Sequence, residues 1–475
     1  MSGTFTTLDR LVLLAYVVAL AGLAVQRTLR RKDGDAADYL VAARAITLPG
    51  FVANLVATWY GGVLGVGEYA YRYGVSNWLV FGVPYYVAAL LFALFVAPRA
   101  RRAQVLTIPE QLRAAYGPTA SWLGAVVVLA VTVPGAYVLM AGTIVGEILD
   151  LPAVVAVVGV TLLSCSYLLF GGMRAVVTAD RFYCILMYGS FGLMVVHLVT
   201  HFGGLDFLRA HLPAEQFTWN GGRPVQAVLV WYVIALATLV EPAFYEACFS
   251  ARDQRTARRG ILISICFWAV FDFMTTTTGM YARALLPNLE DPTRAFPLLA
   301  EQVLPTAVRG LFFVGLLATV MSTVDSYIFI SAQTFGRDLV WRLRGGGALR
   351  DADSNRWTRI GLLVVAGLAV AIALSGLTVI ELWHHLGSIG TPALVVPMLA
   401  SFDPRLRLSP RIASLTIVAA AAVAAAWLLS ARGGGGYWLG LEPIFPALAV
   451  SIGLAAVDIA RRRRAAGAGN PTPLR

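Results

Sequence analysis

The sequence predicts an all-α integral membrane protein of about thirteen transmembrane helices, and three observations carry that expectation. Of 475 residues, 58% are hydrophobic and only 13% charged, with a mean hydropathy of +0.73. A soluble chain of this length would divide into domains with polar surfaces. Thirteen apolar runs, each long enough for a hydrocarbon core of roughly 30 Å, succeed one another with no soluble domain between them. The basic residues then alternate from loop to loop, as they do when a chain crosses a bilayer repeatedly.

The first run, 8–26, lacks a basic start and ends in Arg27, Arg30, Arg31 and Lys32, so it is expected as a retained span and not as a cleaved signal peptide. The second, 49–72, carries Gly61-Gly62-Val-Leu-Gly65-Val-Gly67-Glu68, four glycines in seven residues with a carboxylate just beyond. Runs 77–98, 119–145, 150–172 and 180–202 follow. The seventh, 225–249, contains Glu241-Pro242; the proline removes a backbone donor and frees the carbonyl four residues earlier. Non-helical backbone at membrane depth survives where it lines an enclosed or wet cavity, so spans two and seven are expected as broken helices around a binding site. Five apart, they cross in opposite directions. That is the arrangement of an inverted repeat, spans two to six against seven to eleven. After 258–285, the ninth run, 306–334, places Ser322, Thr323, Asp325 and Ser326 inside an apolar segment. Oxygen ligands without thiols or imidazoles suit a hard cation such as sodium, which points to a membrane site for an alkali ion. Runs 357–378, 380–402, 410–431 and 436–460 complete the set.

With the N-terminus outside, 29 of the 37 Lys and Arg residues fall on cytoplasmic segments, which predicts an N-out, C-in orientation. This placement, and not nucleic-acid binding, accounts for the net charge of +11. The basic end Arg461 to Arg464 is a topology signal that also suits anionic lipid. Cys165, Cys184, Cys248 and Cys266 show no CxxC spacing, so neither a disulfide framework nor a zinc site is indicated. There is no HExxH pair and no GxxxxGK[ST] loop, which argues against a metalloprotease and an ATP-driven pump. No enzymatic constellation is evident.

Several stretches resemble the sodium:solute symporter family, in that family's order. Asp38-Tyr-Leu-Val-Ala-Ala-Arg44 is similar to its DYFLAGR-type element, and Thr107-Ile-Pro109-Glu110 to its T-x-P-E element. Gly171-Gly172-Met-Arg174-Ala-Val-Val-Thr178-Ala179-Asp180 resembles the GG-x-x-AVVWTD signature, and Met321-Ser-Thr-Val-Asp-Ser326 with Arg337-Asp338 resembles MSTADS and its trailing RD. The resemblance implies the leucine-transporter fold: a five-plus-five inverted repeat with one leading and two trailing helices, and solute uptake driven by a sodium gradient. On this division, 1–48 is the leading helix and loop, 49–203 repeat one, 225–402 repeat two, and 403–475 the trailing helices and basic tail, within a single transmembrane domain. The expected setting is a cell membrane, the inner membrane of a bacterium.

By the same resemblance the coupling sodium is held by Ser322 and Thr323 through their hydroxyls, and by Thr319, Leu55 and Thr58 through backbone carbonyls. Asp180 matches an acidic residue at the cytoplasmic start of the sixth span and implies an ion-exit and coupling role at a wet edge beside Arg174 and Arg181. Asp325 and the Arg337-Asp338 pair are expected to cap or pin the cytoplasmic end of the ninth span. Substrate candidates are Trp59, Tyr60, Gly61, Glu241 and Ser326, with Trp383, His384 and His385 placed equally well in an interfacial aromatic belt. An acid deep in a span, as Glu241 is, marks a site by default. The chain departs from the family at Thr178-Ala179-Asp180, where the tryptophan of WTD is replaced, at Tyr183, where glutamine often follows, and at Glu246-Ala247, where relatives tend to carry glutamine and arginine. No basic residue occupies the middle of a core span, so neutral, zwitterionic or cationic small solutes are expected over strongly anionic ones. A proton-coupled symporter and a non-transporting membrane sensor on the same fold remain as alternatives.

Overall fold

The computed structural model describes residues 5–29, 36–344, 351–375, 379–431 and 436–468, almost all of them helical. Sixteen helices organise the chain. α1 is Thr7–Leu29; α2, Leu48–Trp59, and α3, Val63–Tyr73, form a pair bent by 61°. α4 is Trp78–Arg102, with two π-helical stretches inside it. The short amphipathic α5, Ile108–Tyr116, leads to α6, Pro118–Thr132, and α7, Gly135–Leu149. α8 is Ala153–Phe202, α9 Val225–Ile234, α10 Pro242–Ser250 and α11 Gln254–Leu285. α12 is Val308–Trp341, α13 Asp351–Ala373, α14 Val379–Ser401, α15 Pro410–Ser430 and α16 Ile444–Ala468. Among the described residues, nine helices are long and apolar enough to cross a membrane, and the bent α2–α3 pair makes a tenth.

Local chemistry explains the interruptions. Gly61 and Gly62 end α2, and an added Cβ at Gly61 would collide with the Thr323 side chain, so the break brings backbone against α12. Ala235–Val240 is a 3₁₀ stretch, Glu241 is extended, and α10 starts on Pro242; proline suits a helix's first turn because its missing donor is not needed there. The apolar runs 150–172 and 180–202 lie on the continuous stretch Ala153–Phe202, in which two helical segments meet at a kink. Gly172 kinks it with φ 51°. A side chain there would run into Tyr39, whose hydroxyl donates to the Leu168 carbonyl at 3.0 Å. The break at Val133-Pro134 between α6 and α7 was not expected, because no glycine cluster or carboxylate marks it. The T-x-P-E element is a helix start: Thr107 accepts the Glu110 amide at 3.2 Å and Glu110 accepts the Leu106 amide at 2.8 Å, a capping arrangement.

α12 is the axis. Its most apolar window is 94% buried, against 28% for α15 and α16, so α12 packs within protein while the last two face outward. α8, α1, α2, α7 and α13 pack around it, and α11 covers α2 and α3. Asp9 on α1 accepts the Ala307 and Gly310 amides at 3.1 Å each and pairs with Arg309 at 2.5 Å. That carboxylate satisfies donors left open at the α12 N-terminus.

Candidate functional site

The site forms where the α2–α3 break meets the middle of α12. The Thr323 hydroxyl donates to the Thr58 main-chain carbonyl at 2.7 Å. Thr58 Oγ1 and Ser326 Oγ share a second bond at 2.9 Å. Ser322 Oγ donates to Asp180 Oδ1 at 2.5 Å, and Asn54 Nδ2 to Asp180 Oδ2 at 2.6 Å. Hydroxyls, carbonyls and one carboxylate from α2, α8 and α12 therefore meet in a space closed to solvent: Asp180 and Ser322 are 0% exposed, Thr323 2% and Thr58 5%. Leu55 and Thr319 are buried on the two facing helices, one turn away, and Thr319 Oγ1 bonds back to the Gly315 carbonyl at 2.7 Å, so its hydroxyl is engaged within its own helix. This donor set is hard and oxygen-only, suited to an alkali cation. Among the described residues no three His, Cys, Asp or Glu side chains gather as a metal site.

Two expectations are corrected here. Asp180 does not sit at a wet edge beside Arg174 and Arg181. Arg174 pairs with Asp38 at 2.7 Å, and the buried carboxylate turns inward to Asn54 and Ser322. Asp325 does not cap the end of its helix. It is 0% exposed near the middle of α12 and accepts from Ser164 at 2.5 Å, Tyr183 at 3.0 Å and Tyr167, because hydroxyls from α8 surround it. The Arg337-Asp338 pair does pin the helix end: Thr107 donates to Asp338 at 2.9 Å and Arg337 to Ser354 at 2.8 Å.

The substrate candidates divide. Trp59, half-buried, packs against Trp268, Phe244 and Tyr85 with ring centroids 5.2, 5.4 and 5.5 Å apart. Tyr60 donates to the Trp268 carbonyl at 2.9 Å. Glu241, half-buried at the second break, accepts the Tyr327 hydroxyl, and Tyr327 packs on Tyr137 at 5.6 Å. Trp59, Tyr60, Gly61, Ser326 and Glu241 thus lie at the two breaks and on α12 between them. Trp383 and His384 lie outside the residues whose side chains are described, and His385 is exposed. Sequence reasoning missed Asn54, Tyr85, Tyr137 and Tyr327, and also Asp272, a buried carboxylate on α11 that accepts the Tyr86 hydroxyl. For Asp272 a signal existed: a single acid inside an apolar run.

A family model described as the sodium:solute symporter family matches residues 39–406. The sodium/pantothenate symporter of Escherichia coli is 23% identical over 463 residues, covering 93% of this chain and 94% of that protein. The osmoregulated proline transporter of Bacillus subtilis is 23% identical over 401 residues, 78% of this chain and 79% of that one. Among solved structures, a substrate-bound, outward-open sodium-coupled sialic acid symporter matches with a TM-score of 0.76 at 16% identity, covering 95% of this chain and 98% of that one.

Proposed function

The chain belongs to the sodium:solute symporter family, and from that premise we propose that it carries a small organic solute across a cell membrane together with sodium, by alternating access. The observation that carries this reading is the meeting of the Thr58 carbonyl with Thr323 and of Ser322 with Asp180, a closed oxygen site between a broken helix and the central one. Ser322 and Thr323 offer hydroxyls, and Leu55, Thr58 and Thr319 carbonyls, to the ion; Asp180 balances its charge and takes part in its release. Counting α8 as two crossings at Gly172 and including α1 and α14 gives thirteen spans, read as a leading helix, repeats 49–203 and 225–402, and trailing helices with a basic tail that touches anionic lipid.

The solute occupies the region bounded by Trp59, Tyr60, Gly61, Ser326 and Glu241. A neutral, zwitterionic or cationic molecule fits, since Glu241 offers a negative charge and no basic residue lies mid-span to meet a strong anion. The test is uptake into proteoliposomes over a solute panel with sodium and pH gradients imposed separately. Accumulation that follows the sodium gradient is expected. Proton coupling is the second reading, favoured by the buried Asp180 carboxylate, and uptake that follows the pH gradient alone would establish it.

Orientation follows the basic loops, N-terminus outside and C-terminus in the cytoplasm of a bacterium with its inner membrane as the site. Single cysteines near Arg344 and after Arg464 are expected to react only after permeabilisation, and one between Arg209 and Arg223 in intact cells. External labelling of the tail would require an even number of spans and overturn the count of thirteen.

A further inference from the structure

Glu246 is left without a role by the site described above. It lies on α10, one turn before Ser250, and is 6% exposed. It lines a small cavity shared with Asn54, Met173, Val176, Ala243, Ser326 and Phe329 among others. The space admits only about one water-sized particle, which excludes an organic solute but not a bare alkali ion. Two of its wall residues touch the ion site directly: Asn54 donates to Asp180, and Ser326 bonds Thr58. Glu246 faces them from the other wall, holding one carboxylate oxygen on Gln333 Nε2 at 3.0 Å, and none of the described ion pairs involves it. Beyond the cavity the chain is pinned shut. The Ile46 amide donates to the Ser250 carbonyl at 3.2 Å, the Arg252 amide to the Ile46 carbonyl at 3.0 Å, and Arg101 to the Ala251 carbonyl at 2.5 Å.

We infer that Glu246 and this cavity form an inner stopping place for the coupling cation, between the Thr58–Ser322–Thr323 site and the Ile46–Ala251 bridge that must part for release. The inference rests on the proposed sodium coupling and orientation, under which this side faces the cytoplasm. The rest of the wall is largely apolar, and an unpaired cation crossing such a region loses hydration that nothing returns. One carboxylate on the way replaces it. Glu246→Gln leaves only a dipole there and removes the stop.

The test compares Glu246→Gln and Gln333→Leu with wild type in right-side-out and inside-out membrane vesicles, reading solute uptake against sodium on each face. In Glu246→Gln the internal sodium concentration that half-inhibits uptake is expected to rise at least about tenfold, the loss of roughly one charge-assisted contact, while the external half-saturation stays within about twofold. Gln333→Leu removes the amide that occupies the carboxylate but keeps the charge, so its internal half-inhibition is expected to fall by about threefold or more. A purely structural Glu246–Gln333 bond predicts shifts of the same sign in both variants. That result, or an unchanged internal sodium dependence in Glu246→Gln, overturns the inference while leaving sodium coupling in place. If Glu246→Gln fails to reach the membrane, Gln333→Leu decides by the sign of its shift. Wild-type uptake indifferent to sodium would instead remove the premise, and the inference with it.

Discussion

Replacing Ser322 and Thr323 together by alanine raises the sodium concentration for half-maximal uptake at least about tenfold, with much less effect on insertion or abundance. Contacts of an ion with fixed oxygens fall in the range of charge-assisted bonds, about 1.5–3 kcal/mol each, and water entering the space returns part of that. A net loss of about 1.4 kcal/mol already gives tenfold. The measurement separates two jobs for these hydroxyls, the proposed contact with the ion and a tie between helices. Thr323 ties α12 to the Thr58 carbonyl and Ser322 ties it to Asp180, so both make interhelical bonds. If binding the two helices together were their whole function, the double variant would show a lower melting temperature and an unchanged sodium dependence. Thr323→Ser, which keeps the oxygen, is expected to remain within a few-fold of wild type.

The broken spans were legible because their causes are local. Gly61-Gly62 and Glu241-Pro242 announce lost helical hydrogen bonds in the residues themselves, and both breaks appear in the structure. The seryl-threonyl pair was legible because hydroxyls crowded into an apolar run demand a purpose. Asp180 shows where such reading stops. Its sequence neighbours Arg174 and Arg181 made a wet edge plausible, but helical geometry turns its side chain to a different face, and its true partners stand 126 and 142 residues away. Asp325 failed similarly, since Ser164, Tyr167 and Tyr183 come from α8. The α6–α7 break at Pro134 carries no polar residue, so nothing set it apart from an ordinary proline in a span. A periodicity tells which residues share a face; only packing tells what that face meets.

The largest consequence attaches to Asp180→Asn. The wild-type carboxylate accepts from Ser322 and Asn54, one on each oxygen, wholly buried. A buried charge is costly unless it is compensated, and none of the described ion pairs gives Asp180 a basic partner. A sodium ion beside Ser322 would supply the missing positive charge. An asparagine keeps the shape but offers one acceptor where two donors converge. Its own amide hydrogens must then face either Asn54 or Ser322, and in the second case they occupy the oxygen the ion needs. Asp180→Asn is therefore expected to weaken sodium half-saturation by tenfold or more, about 1.4 kcal/mol or greater, and to slow turnover while some sodium-driven uptake persists. If Asp180 instead carries a proton, the variant loses all gradient-driven accumulation yet keeps solute exchange, because one neutral form is all that exchange requires. Wild-type uptake that follows an imposed pH gradient and ignores sodium would decide for the proton. The sodium outcome is expected because a proton relay needs groups that gain and lose protons, whereas Thr58 offers a main-chain carbonyl and Thr323 a hydroxyl that do neither near neutral pH.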